Sequence, residues 1–392
     1  MKSILIAAFV LGLLLFGCAS IDYADAKNQV NDTKNHSDSG VNASTAGKDA
    51  KYYGERAINK SNAGDDFGAM ADYDEAIRLD PNYAYAYFKR GGAKRRLGDY
   101  YGALEDYNRA IMLNSSLAEA YAKRGGLRAV MGDYNGAMYD VNKAIELDPE
   151  YAIGYYNRGA MMAEFGYYEA AMSNLSEAIR LNSSFALAYN ERSGVKLEQG
   201  DYGGGLADLN EAIRLDPKMF AAYINRGMLK TNMGDYEGAI ADFDEAEKIE
   251  PNAAIVYIDR GRARHMAGDD EGAISEYSKA ISIDPKLDLA YYNRGTDYYV
   301  LGKYDLAIAD LSKAIELNPY YADAYHNRGD AKYKMGDYEG ALADFDMAIL
   351  LRPNYPYTYA SRAEAKEKLG DTASAQADRA KAEELSQTDN AG

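Results

Sequence analysis

The sequence predicts an all-α chain, a solenoid of about ten stacked helix–turn–helix units over residues 50–386. Three observations predict it. Pro81, Pro149, Pro217, Pro251, Pro285, Pro319 and Pro353 fall on one 34-residue grid, whose two points without proline hold Ser115 and Ser183. Glycines fill a second grid position from Gly64, Gly98 and Gly132 through Gly370. A period of this length marks stacked repeats, each a hairpin that hides its apolar side only against its neighbours.

Residues 1–17 read as a signal peptide. Met1-Lys2-Ser3 precedes an apolar run from Ile4 to Phe16, too short for a comfortable membrane span. The run closes on Leu15-Phe16-Gly17-Cys18, which resembles the bacterial lipobox, although Phe16 is bulkier than that pattern usually carries. That resemblance implies lipidation of Cys18, and Ala19 after it favours the outer membrane in a cell that has two. Cys18 is the single cysteine, so neither an internal disulfide nor a thiolate metal cluster can form. Residues 18–49 are rich in Asn, Asp, Ser, Lys and Gly and are expected to be a disordered tether. The sequons at Asn31, Asn35 and Asn42 are read as by-products of that composition.

The repeats start near residues 50, 84, 118, 152, 186, 220, 254, 288, 322 and 356. In the unit from Ala322 to Tyr355, Ala322, Tyr325, Gly329 and Met335 recur at helical spacing. Gly336 ends that helix as a left-handed C′ residue, and Asp337 N-caps the next. Ala341, Phe345, Ala348 and Leu351 form the inward stripe of the second helix, and Pro353 closes the unit. The last unit reads as a polar cap, with Arg379 in place of an apolar residue, and residues 387–392 as a disordered tail.

These columns resemble the tetratricopeptide repeat (TPR). Counting from Ala322, small residues stand at positions 8, 20 and 27 (Gly329, Ala341, Ala348), a large one at 24 (Phe345) and proline at 32. Position 4 is Tyr in all ten units, from Tyr53 to Tyr359. The resemblance implies a right-handed α-solenoid whose concave face is lined by the first helices.

Position 7 departs from the family, being Arg in every unit, among them Arg158, Arg226, Arg294 and Arg328. Position 23 is almost always acidic, as in Asp242, Asp310 and Asp344. An unpaired buried guanidinium costs on the order of 3–5 kcal/mol, so these columns are expected to form structural ion pairs between packed helices. An anion-binding row is the rival reading, and the helical phase of the arginines opposes it.

Positions 2, 5, 6, 9, 12 and 13 share the opposite face of the first helix. The family resemblance implies that this face binds a peptide. Candidate contacts are Tyr156, Asn157, Ile224, Asn225, Met228, Ile258, Tyr292, Asn293, Tyr299 and Asn327. An asparagine at position 6 offers a donor and an acceptor to a partner's main chain, though Glu191 and Asp259 break the row. The competing reading packs positions 2 and 5 against the adjacent hairpin. Arg95 and Arg96 form a small basic spot on the same face.

A formal charge of −17 argues against nucleic acid as a partner. The three histidines, His36, His265 and His326, lie far apart in sequence, and there is no Gly-rich phosphate loop. No catalytic residues, cofactor, metal or small-molecule substrate are expected. The expected function is a non-enzymatic, lipid-anchored, extracytoplasmic scaffold that binds another protein or peptide in its concave groove. Two alternatives remain: an accessory lipoprotein in envelope, pilus or secretion assembly acting through its convex face, and a cytosolic adaptor.

Overall fold

The computed structural model describes residues 49–389, so the leader, Cys18 and the tether up to residue 48 lie outside the described residues. Among the described residues the chain is wholly helical, with no strand. Two compact bodies divide it, Met1–Ala222 and Tyr223–Gly392.

The first body holds α1 (Ala50–Asn62), α2 (Asp66–Leu79), α3 (Ala84–Arg96), α4 (Tyr100–Leu113), α5 (Ala118–Val130), α6 (Tyr134–Leu147), α7 (Ala152–Glu164), α8 (Tyr168–Leu181), α9 (Ala186–Glu198) and α10 (Tyr202–Leu215). The division falls inside α11 (Phe220–Met233). The second body continues with α12 (Tyr236–Ile249), α13 (Ala254–Met266), α14 (Asp270–Ile283), α15 (Asp288–Val300), α16 (Tyr304–Leu317), α17 (Ala322–Met335), α18 (Tyr338–Leu351), α19 (Pro356–Lys368) and α20 (Thr372–Asp389). Odd helices open a repeat and even helices close it. The architecture is an α-solenoid.

Turn chemistry fixes each hairpin. Gly336 ends α17 with φ of 84°, and the equivalent glycines of the other repeats share the left-handed conformation. One residue later Asp337 caps α18, its Oδ1 accepting from the Gly340 amide at 2.9 Å. The cap and that glycine belong together, because a Cβ on Gly340 would stand 2.1 Å from Asp337 Oδ2. Repeats four and eight carry Tyr167 and Lys303 at the cap, make no side-chain cap, and have Ala170 and Leu306 where the glycine would be.

Packing within a hairpin depends on close helix approach. A Cβ on Gly329 would meet Phe345 at 2.6 Å, and one on Gly261 would meet Tyr277 at 2.6 Å. Repeat five exchanges the volumes: Ser193 replaces the glycine of the first helix, and Gly205 replaces the alanine facing it. The position-20 and position-27 residues Ala341 and Ala348 are buried, with Phe345 beside them. Met335, which recurs at helical spacing with Ala322, Tyr325 and Gly329, is exposed at the last residue of α17 before the turn. Asp49, assigned by sequence to the tether, caps α1 by accepting from the Tyr52 amide at 2.8 Å. At the other end α20 runs to Asp389, past the expected boundary at 386.

Candidate protein-binding face

Position-7 arginines lie over the position-4 tyrosines; the Arg124 guanidinium carbon is 5.4 Å from the Tyr121 ring centre. From there most forks reach two helices. Nε and Nη2 go to the acid of the same repeat, at 2.9 and 2.5 Å for Arg226 on Asp242 and 2.7 and 2.9 Å for Arg294 on Asp310. Arg328 holds Asp344 at 2.9 and 2.6 Å. Nη1 turns back to position 25 of the preceding repeat: Arg294 donates to Ser278 at 2.9 Å and Arg328 to Ser312 at 3.0 Å. The hydrogen bond that Arg294 donates to Asp310 outweighs partial desolvation and raises the Arg294 pKa above its ordinary value.

One member of the expected set differs. Arg158 meets no carboxylate at position 23; its Nε donates to Asn174 Oδ1 at 2.7 Å and its Nη1 to Asn142 Oδ1 at 2.9 Å. It is a hydrogen-bonded arginine and not an ion pair, because repeat four has an amide where its neighbours have an acid. The structure also adds a second cation from position 11. Lys230 lies 2.8 Å from Asp242, Lys332 2.8 Å from Asp344 and Arg128 2.7 Å from Asp140. Columns of Lys or Arg at position 11 and of short polar residues at position 25 carry that signal in the sequence.

The first-helix face is more enclosed than the helical wheel suggests. Tyr156, Asn157, Ile224, Asn225, Met228 and Ile258 are each no more than 6% exposed. Position 5 packs on the residue that closes its own repeat: the Tyr156 ring is 5.0 Å from Phe185, and Tyr292 is 4.6 Å from Tyr321. Ile258 joins a buried cluster with Leu287 at its edge. Two position-6 amides brace the preceding first helix. Asn157 Nδ2 donates to the Ala122 carbonyl at 3.1 Å, and Asn327 Nδ2 donates to Thr296 Oγ1 at 3.0 Å and Tyr292 OH at 3.3 Å. The packing reading therefore accounts for position 5, and the asparagine row is not an open grip.

Tyr292, Asn293, Tyr299 and Asn327 stay half-buried, and α15 adds Leu289 and Val300, 40% and 55% exposed, on the same side. The basic spot is mostly consumed, with Arg95 buried and Arg96 paired to Asp66 at 2.7 Å. Among the described residues no helix is long and apolar enough to cross a membrane.

Family models match parts of the repeat array. A family model described as TPR repeat matches residues 63–98, 261–299 and 295–336. Two described as tetratricopeptide repeat match 322–355, and 84–117 with 220–253. No curated protein matches the chain. Among solved structures, the anaphase-promoting complex hetero-tetramer Cut9–Hcn1 is similar at 14% identity over 86% of this chain and 83% of that one, with a TM-score of 0.51. That likeness shows the fold alone. MamA shares 28% identity over 42% of this chain and 97% of its own (TM-score 0.40). YrrB, titled a TPR protein with an unusual peptide-binding site, shares 24% over 48% and 96% (TM-score 0.39).

Proposed function

Because the chain carries tetratricopeptide repeats, we propose that it is a non-enzymatic scaffold that binds another protein through the first-helix face of repeats eight and nine. One observation carries this reading. Leu289, Tyr292, Asn293, Tyr299 and Val300 follow helical spacing on one side of α15 and keep surface, and Tyr292 does so at position 5, where Phe88, Ala122, Tyr156, Ile224 and Ile258 of earlier repeats are buried. A contiguous exposed apolar patch usually marks a binding surface. Its ligand is a segment with apolar side chains, and Asn293 supplies an amide able to both donate and accept.

Photo-crosslinking in intact cells tests the face. A crosslinker at Leu289 or Val300 should capture a partner that one at Leu350 does not, and Tyr292→Ala with Asn293→Ala should reduce that capture. Capture only from Leu350 would remove this face from the account.

The Cys18 motif supports placement in the cell envelope, lipid-anchored and extracytoplasmic, on the outer membrane where there is one. Labelling with a fatty acid analogue, compared between wild type and Cys18→Ser, decides it; an unlabelled wild-type chain leaves a cytosolic adaptor. A second reading, assembly of an envelope, pilus or secretion complex through the outer surface, draws on one feature of the first body. Phe67, Tyr101, Tyr139 and Met112 on α2, α4 and α6 are strongly exposed at positions 18, 22 and 29 of their repeats.

A further inference from the structure

Three departures from the repeat pattern meet at one point between repeats seven and eight. Position 12 is His265, and it is a histidine in no other repeat. Position 17 is Asp270, where Tyr100, Tyr134, Tyr236, Tyr304 and Tyr338 stand elsewhere. Position 10 is Asp297, in a column that otherwise holds Ala, Leu, Met, Val or Asn. His265 sits at the end of α13, Asp270 in the first turn of α14 and Asp297 on α15.

His265 Nδ1 lies 2.9 Å from Asp270 Oδ1 and 2.8 Å from Asp297 Oδ1. Repeat one has the other aspartate at position 17, Asp66, and Arg96 neutralises it. At Asp270 the residue equivalent to Arg96 is Val300, so two carboxylates converge on one ring nitrogen. Asp297 is 2% exposed, and its Oδ2 has no hydrogen-bond partner. One N–H cannot satisfy that set of acceptors.

We propose that His265, Asp270 and Asp297 form a binding site for a divalent first-row transition-metal ion of the zinc type. Their ligand atoms lie within 4.8 Å of one another. Ligands about 2.1 Å from an ion stand about 3 Å apart at right angles and about 3.4 Å apart in a tetrahedron, so the two separations of 2.9 and 2.8 Å need open by only a few tenths of an ångström to admit it. One imidazole with two carboxylates suits Zn²⁺, Mn²⁺ or Co²⁺ better than Mg²⁺ or Ca²⁺, which take all-oxygen sets. Two carboxylates balance the charge of the ion, and the half-exposed side of His265 leaves room for water to complete the shell. Bound there, the ion joins α13, α14 and α15 and fixes the helix that carries Leu289, Tyr292 and Val300.

Calorimetric titration of the full chain with Zn²⁺ after chelator treatment tests the site, with thermal melting as a second readout. One ion should bind per chain in the micromolar range, raise the melting temperature, and resist competition by millimolar Mg²⁺. His265→Gln and Asp297→Asn should each weaken binding by about tenfold or more, as loss of a ligand exceeds loss of an outer partner. If Asp297→Asn fails to fold by circular dichroism, Asp270→Ala at the helix start replaces it. Absence of micromolar Zn²⁺ binding, or binding untouched by His265→Gln, overturns the assignment.

Discussion

Arg124 grips Asp140 with two parallel hydrogen bonds, Nε to Oδ2 at 2.8 Å and Nη2 to Oδ1 at 2.6 Å, and Arg128 adds a third at 2.7 Å. Asp140 is 0% exposed, so it is the point where two cations and two helices are tied. Asp140→Ala leaves both cations without their acceptor and should destabilise the first body by about 3–5 kcal/mol. Asp140→Asn should cost clearly less, since Asn174 already serves Arg158 this way in repeat four. Urea unfolding midpoints separate the two. Equal losses would mean that charge, not the fork geometry, holds the joint.

A smaller loss is expected at the turns. Asp337→Ala removes the acceptor for the Gly340 amide and should cost about 1 kcal/mol. Gly336→Ala forces a side chain into the left-handed region and should cost a similar amount, roughly 1 kcal/mol. Lys303→Ala sits at the cap position of repeat eight, where no side-chain cap exists, and should change stability by under about 0.5 kcal/mol. Thermal melts of the three variants check the contrast; a Lys303→Ala loss matching that of Asp337→Ala would show that the cap bond contributes little.

The hairpins were legible because their punctuation is chemical. Gly336 needs positive φ, Asp337 needs an amide to accept from, and Pro353 cannot extend a helix, so each residue type marks its own place. The Arg294–Asp310 tie was legible too, since a half-buried guanidinium must find an acceptor. The second cation at Lys230 and the backward bond to Ser278 left their own columns at positions 11 and 25, but pairing position 7 with position 23 already met each arginine's need for an acceptor, so nothing called for a further partner. Tyr156 and Asn157 were misplaced for a related reason: the face that points away from one hairpin is also where the next first helix packs. His265 and Asp297 lie on consecutive repeats, and only the stacking brings them together.

Two asparagines at the same repeat position should separate by role. Asn157 is buried and donates to the Ala122 carbonyl, so Asn157→Ala should cost about 1–2 kcal/mol by leaving that bond unmade. Asn293 is half-buried on the proposed binding side, so Asn293→Ala should leave unfolding nearly unchanged and weaken partner capture. Chemical unfolding and crosslinking yield on the same two proteins give the answer. A stability loss at Asn293 equal to that at Asn157 would place both in packing.

Acid should weaken the second body in part through Glu247. Burial opposes ionisation there, yet hydrogen bonds from Arg260, Tyr257 and Lys279 outweigh it and hold the pKa down to about 2. Its Oε2 accepts from Arg260 at 2.7 Å, and its Oε1 accepts from Tyr257 at 2.9 Å and Lys279 at 3.2 Å. A carboxyl whose folded pKa is depressed contributes stability above its unfolded pKa and loses it as the pH falls toward the folded value. The contribution of Glu247 should therefore be whole at neutral pH and decline between the ordinary glutamate value of 4.5 and about 2. Glu247→Gln should lower stability at pH 7 by on the order of 1 kcal/mol, after allowance for solvent screening, and flatten the acid limb of the curve. Unfolding midpoints taken across that range in both proteins test this, and parallel acid limbs would remove Glu247 from the account of acid sensitivity.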